Sequence, residues 1–157
     1  MSTRLPARPP ARSSARQREP DLAECAACLC FAARRAARTI TRAYDRELRR
    51  HGLRATQFTL LAALELNGPQ TIGDLADFLA VDRTTLTRNL AVAEEQGFVL
   101  TRPGEDARAR IVAIAPKGQA ALKQAFPTWK KVQTALVEGI GTHVAEALHK
   151  LARAAPG

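Results

Sequence analysis

The chain has 157 residues, enough for one domain with a sizeable core, and only 4% of them are aromatic while alanine and leucine are plentiful, a balance that favours packed helices over a β-sandwich. An excess of 24 Lys+Arg over 15 Asp+Glu gives a net charge of +9, which suits a polyanion such as nucleic acid or an acidic membrane surface and does not choose between them. No run approaches the roughly 20 apolar residues that span a bilayer, the start lacks the apolar run of a secretory signal, and three cysteines crowded at Cys25, Cys28 and Cys30 are no disulfide framework, so the expectation is a cytoplasmic protein with no membrane partner.

Residues 1–20 carry four prolines and five arginines against one glutamate, with almost nothing to bury, and read as a disordered basic arm. Residues 22–52 hold no proline and no glycine before Gly52. Leu22, Cys25, Leu29, Ala32, Ala36, Ile40, Ala43, Tyr44 and Leu48 recur at three- and four-residue steps, which predicts one long amphipathic helix of over about 40 Å. A helix that long in a small domain packs against a partner subunit as well as its own core. Thr56 is the expected cap of a second helix ending at Asn67, Gly68 and Pro69. Thr71 and Asp74 have capping-box spacing for a third helix. Asp82 is the expected cap of a fourth, from Arg83 to Gln96, closed by Gly97. Two β-prone runs follow, Phe98 to Arg102 and Arg110 to Ile114, joined by a polar hairpin loop. Pro116 opens a further helix that Pro127 interrupts, and a last helical region runs to about Arg153.

Two short helices joined by a tight turn and followed by a β-hairpin make a mainly α fold with a small β wing, a winged helix-turn-helix. Its function follows from the groove it must enter. Leu86, Leu90 and Ala93 give the fourth helix an apolar inner face. Arg83, Thr84, Thr85, Thr87 and Arg88 crowd the N-terminal half of its outer face, the end that enters a DNA major groove. Arg108 stands at the hairpin tip with Arg110 two residues on, placed to reach an adjacent minor groove, and Asp106 can orient the Arg108 guanidinium. The winged stretch, residues 71–118, is not itself basic, with six basic and seven acidic side chains. The positive charge lies in the arm and in the flanking helices, so binding depends on local placement, and the arm adds salt-sensitive, non-specific affinity.

The stretch from Val81 to Leu90 resembles the recognition helix of the MarR (multiple antibiotic resistance regulator) family, where Ser or Thr precedes an apolar–Thr–Arg step. Four other segments agree in order and spacing: Leu53 to Phe58, Glu94 to Val99, the Asp106/Arg108 wing motif, and Ile114 to Gly118. The resemblance covers about 22–153. It implies a homodimer built from the N- and C-terminal helices (22–52 and 119–157) around a DNA-binding domain (53–118). It also implies a pseudo-palindromic double-stranded operator, and repression relieved by a small-molecule effector or by cysteine oxidation. Ala115 stands where the family often has a capping Thr, and the turn at Ala80, Val81 and Asp82 lacks a frequent glycine. A ligand pocket between the dimer helices and the winged domain, implied in the same way, is expected near Leu29, Phe58 or Leu61, with Trp129 in the core, at the dimer interface or at that pocket.

Three readings of Cys25, Cys28 and Cys30 stay open: small apolar packing residues, redox sensors, or ligands for a soft metal or metalloid. On a continuous helix Cys25 and Cys28 share a face, while Cys28 and Cys30 lie roughly 200° apart. No required cofactor is expected. An enzyme finds little footing. Ser2, Ser13 and Ser14 all lie in the arm, no glycine-rich phosphate loop occurs, and His51, His143 and His149 are scattered. The alternative to a sequence-reading regulator is an architectural, non-specific DNA-binding protein.

Overall fold

The computed structural model describes residues 22–104 and 109–154. In chain order its elements are α1 (Leu29–Leu48), α2 (Ala55–Asn67), β1 (Gln70–Thr71), α3 (Ile72–Leu79), α4 (Arg83–Glu95), β2 (Val99–Pro103), β3 (Arg110–Ile114), α5 (Pro116–Ile140) and α6 (Thr142–Ala154), with 3₁₀ turns at Leu22–Ala27 and Arg49–His51. The expected winged helix-turn-helix is present. The basic arm, the hairpin tip at 105–108 and residues 155–157 lie outside the described residues.

One apolar cluster joins every part of the winged unit. Leu60, Leu61 and Leu64 of α2 pack with Leu48 and Leu53, with Leu75 of α3, and with Leu86 and Leu90 of α4. Val99 and Val112 bring the sheet onto the same cluster, and Leu122 and Ala125 bring α5. The sheet is antiparallel in the order β1-β3-β2, with Val99 opposite Ile114 and Thr71 opposite Ile111. β1 was not foreseen. Two residues carry no period, and their pairing is to a strand some 40 residues on.

Three expectations are corrected. The long N-terminal helix is broken at Cys28, whose backbone is extended (ψ 118°), and the segment before it winds as a 3₁₀ turn. From Cys25 to Phe31 every side chain is exposed, so no burial holds that stretch to the α-helical path. Thr56 does not cap α2. Arg54 is the N-cap position, its N–H donates to Gln57 Oε1 (3.0 Å), and the Ala55 N–H donates to Asp45 Oδ1 (2.7 Å). Finally, α5 runs through Pro127. The ring removes one helical hydrogen bond, but it sits on the exposed face, where solvent takes up the freed carbonyl. The turns on either side are anchored. Trp129 stacks on Phe126 and Phe58, and Thr128 bonds His51 (2.8 Å).

Two backbone positions fix how the elements meet. The Ala115 N–H donates to the Phe98 carbonyl at 2.9 Å, which lays the start of α5 across the strand entry. A Cβ on Gly118 would lie 2.2 Å from that same oxygen. In the turn between α3 and α4, Ala80 adopts a left-handed conformation (φ 51°), the one positive φ among the described non-glycine residues. Left-handed backbone strains a residue with a Cβ. Ala80→Gly is therefore expected to raise stability by about 1 kcal/mol, seen as a higher urea midpoint at unchanged slope. A lower midpoint would show that the turn is not strained.

Candidate nucleic-acid interface

Helix α4, the expected recognition helix, is held at both ends and along its inner face. At its start Asp82 accepts from the Thr85 N–H (2.8 Å) and from the Thr85 hydroxyl (2.6 Å). Those two bonds hold the Asp82 carboxyl below the usual carboxylate range. Because the folded value is depressed, the stabilisation is present above the ordinary pKa of 3.8 and is lost as pH falls through the lower folded value. Two results are expected. Thr85→Val should move the Asp82 titration, followed by carboxyl NMR, back up toward the ordinary value. The stability advantage of wild type over Asp82→Ala should shrink in that acidic window and hold constant near neutral pH. An unmoved titration in Thr85→Val would remove the hydroxyl as the cause.

Along the inner face Leu86, Leu90 and Ala93 are buried. At the far end the Gln57 side-chain amide donates to Gln96 Oε1 (2.6 Å), and Lys117 Nζ donates to the Gln96 carbonyl (2.7 Å) while lying over the Phe98 ring. The Thr101 N–H donates to Glu94 Oε1 (3.3 Å), tying the helix to β2. Gln57 was missed by sequence reasoning. Its signal was a glutamine three residues after Arg54, at capping-box spacing, in a helix otherwise apolar on that side.

The outer face matches the residues named for it. Arg83, Thr84, Thr85, Thr87 and Arg88 are all exposed. Their hydroxyls are not equivalent. Thr85 donates to Asp82, and Thr87 donates to the Arg83 carbonyl (2.7 Å), so both meet an outside partner as acceptors. Arg110 is exposed at the start of β3, on the same side of the winged unit as Arg83 and Thr87, with which it lines one concavity. Arg108 and its expected support Asp106 lie outside the described residues.

Cys25, Cys28 and Cys30 are free and exposed. Cys25 and Cys28 keep the shared face expected of them, now on a 3₁₀ turn, where the Cys28 N–H donates to the Cys25 carbonyl (3.1 Å); the extended ψ of Cys28 redirects only the chain that follows, and with it Cys30. Among the described residues of one chain they do not form a metal-binding group. Of the residues expected around a ligand pocket, only Phe58 and Trp129 line one groove. A groove of about 370 Å³ lies between α2 and α5, walled by Phe58, Leu66, Leu122, Phe126 and Trp129, with Glu65 and Lys123 among its polar residues. Phe58 is there as foreseen, and Trp129 lines it. Leu61 is instead sealed in the core, and Leu29 is 84% exposed. No helix among the described residues is long and apolar enough to cross a membrane.

A MarR-family sequence profile matches residues 51–109, the winged unit up to the wing. The HTH-type transcriptional regulator YwoH of Bacillus subtilis is 32% identical over 83 residues, which cover 53% of this chain and 61% of that protein. The Mycobacterium tuberculosis transcriptional regulator MosR, solved in complex with DNA, is 42% identical, with a TM-score of 0.74 over 81% of this chain and 95% of that one. A mutant of Escherichia coli MarR complexed with operator DNA shares the fold (TM-score 0.75, 22% identity, 87% of this chain and 99% of that one). Identity carried across nearly the whole of one such regulator, on a winged unit built as described, shows that this chain belongs to the MarR family, a family of transcription regulators and not of enzymes.

Proposed function

We propose that the protein is a sequence-specific DNA-binding transcription regulator that acts as a homodimer on a pseudo-palindromic operator. It represses, and a small ligand or thiol chemistry at Cys25, Cys28 and Cys30 releases it. The observation that carries the reading is the presentation of α4. Its inner face and both ends are fixed, and its N-terminal half offers Thr84 and Arg88 outward. The solved complex of MosR with DNA, at 42% identity, supports it. Unpartnered apolar side chains near the two ends of the chain, Leu29 and Phe31 in α1 and Leu148 and Leu151 in α6, support a second copy as their cover.

The test is binding to the protein's own upstream intergenic DNA against a scrambled duplex in the same salt, with and without mild peroxide. Tighter binding to the upstream DNA is expected, and Arg88→Ala should lower that affinity about 10- to 100-fold while leaving scrambled DNA far less affected. A steep salt dependence with no preference would instead support the architectural reading, which the basic arm and basic flanking helices favour. Loss of binding in peroxide that Cys25→Ser prevents would support thiol release. Binding indifferent to peroxide would direct the search to a small ligand.

A further inference from the structure

The geometry points to a phosphate seat between α4 and the wing, in which Gly73 makes room for the Arg83 guanidinium and Arg110 shares the cavity; it rests on the DNA-binding reading above. The seat is a concavity of about 400 Å³ bounded by the start of α3, by Arg83 and Thr87 of α4, and by Arg110 of β3. Its hydroxyls are already spent as donors. Thr71 donates to the Asp74 carboxylate (2.7 Å) and Thr87 to the Arg83 carbonyl. The side-chain donors that remain are two guanidiniums, and among the described residues neither has a carboxylate partner. Two guanidiniums on one cleft, neither paired with a described carboxylate, suit an anion between them, and planar N–H forks suit a phosphate.

Gly73 supplies the independent observation. It lies in the first turn of α3 with no positive φ, so no backbone conformation demands a glycine there. What its missing Cβ leaves is room for the Arg83 side-chain end, which a methyl would push aside. A Cβ would fall 2.7 Å from Arg83 Nη2 and 3.4 Å from its Cζ. The guanidinium thus comes close to the start of α3, with Nη2 as the near atom. The position of the cleft names the ligand. A helix in the major groove and a wing in the neighbouring minor groove straddle the sugar–phosphate strand that separates them, so the hollow between helix and wing faces that strand. Arg83 therefore holds the backbone, which carries no sequence, and Thr84 and Arg88 are left to read bases.

The test compares wild type, Arg83→Ala, Gly73→Ala and Arg88→Ala on the upstream DNA and on a scrambled duplex across a salt series. Loss of one phosphate contact in Arg83→Ala should flatten the log–log salt slope by about 0.9 on both duplexes. The wild-type advantage over this variant then shrinks about 3.5-fold between 50 and 200 mM salt, by the same slope. The affinity ratio between the two duplexes stays as in wild type. Gly73→Ala keeps the charge but displaces it, so it should weaken both duplexes alike in a protein no less stable. An Arg83→Ala protein that loses the preference between duplexes but keeps its slope would make Arg83 a base reader and overturn the seat. Gly73→Ala binding like wild type would overturn it too. If wild type shows no preference, sequence reading fails, while the slopes on scrambled DNA still judge the seat.

Discussion

Replacing Gly118 with alanine is expected to cost about 3 kcal/mol or more of folding stability. The added methyl would stand 2.2 Å from the Phe98 carbonyl oxygen and 3.0 Å from Ile114 Cγ1, so it meets backbone, which cannot swing aside as a side-chain end can. Relief requires α5 to lift from the strand entry. That movement breaks the Ala115 to Phe98 hydrogen bond and loosens Leu122 and Ala125 from the core. For a chain of this length a loss of that size lowers the thermal midpoint by roughly 6–12 °C. Gly139, also inside α5, has nothing within 4 Å of a built Cβ. Gly139→Ala is therefore the matched control, expected to be neutral or stabilising by up to about 1 kcal/mol. Equal midpoints for the two variants would refute the close approach.

Leu86→Ala is expected to cost about 2–5 kcal/mol. Leu86 is 1% exposed, at the point where α4 meets the α2 leucines, and truncation leaves a cavity under the first half of the recognition helix. The variant should lose DNA affinity even under conditions where it remains folded, because the exposed residues on the opposite face lose their fixed pose. Leu100, 59% exposed on β2, gives the contrast. Leu100→Ala is expected to stay within about 0.5 kcal/mol of wild type. Urea unfolding of the three proteins checks the ordering, and a Leu86→Ala cost below 1 kcal/mol would mean that the inner face does not hold the helix.

Elements whose ends carry their own chemistry were legible in the sequence. Asp82 and Thr71 cap as their spacing indicates, Gly97 turns the chain at φ 74° into the strand, and Pro116 starts α5. What misled was periodicity or composition read without its tertiary partners. The apolar rhythm through Cys25, Leu29 and Ala32 suggested a continuous helix, but in one chain nothing covers those side chains. Pro127 suggested a break, yet the aromatic stack beyond it carries the helix on. In the interface the exposed arginines and threonines were readable from one helix face. The close approach of Arg83 to Gly73 and the tie from Gln57 to Gln96 were not, because each joins residues on different elements and exists only through space. The missing glycine at Ala80 was visible in the sequence, and the structure shows its consequence as a left-handed alanine.

The stack of Phe58, Trp129 and Phe126 has a practical corollary. Trp129 is the sole tryptophan of the chain, half-buried, and it forms part of the wall of the groove between α2 and α5. Excited beyond the tyrosine band, all of the protein's emission comes from this one indole. A molecule entering the groove displaces water from the ring and shifts the spectrum to the blue, and a separation of α5 from α2 shifts it to the red. The protein therefore carries an intrinsic optical gauge of that groove, and candidate compounds can be titrated against it without a label.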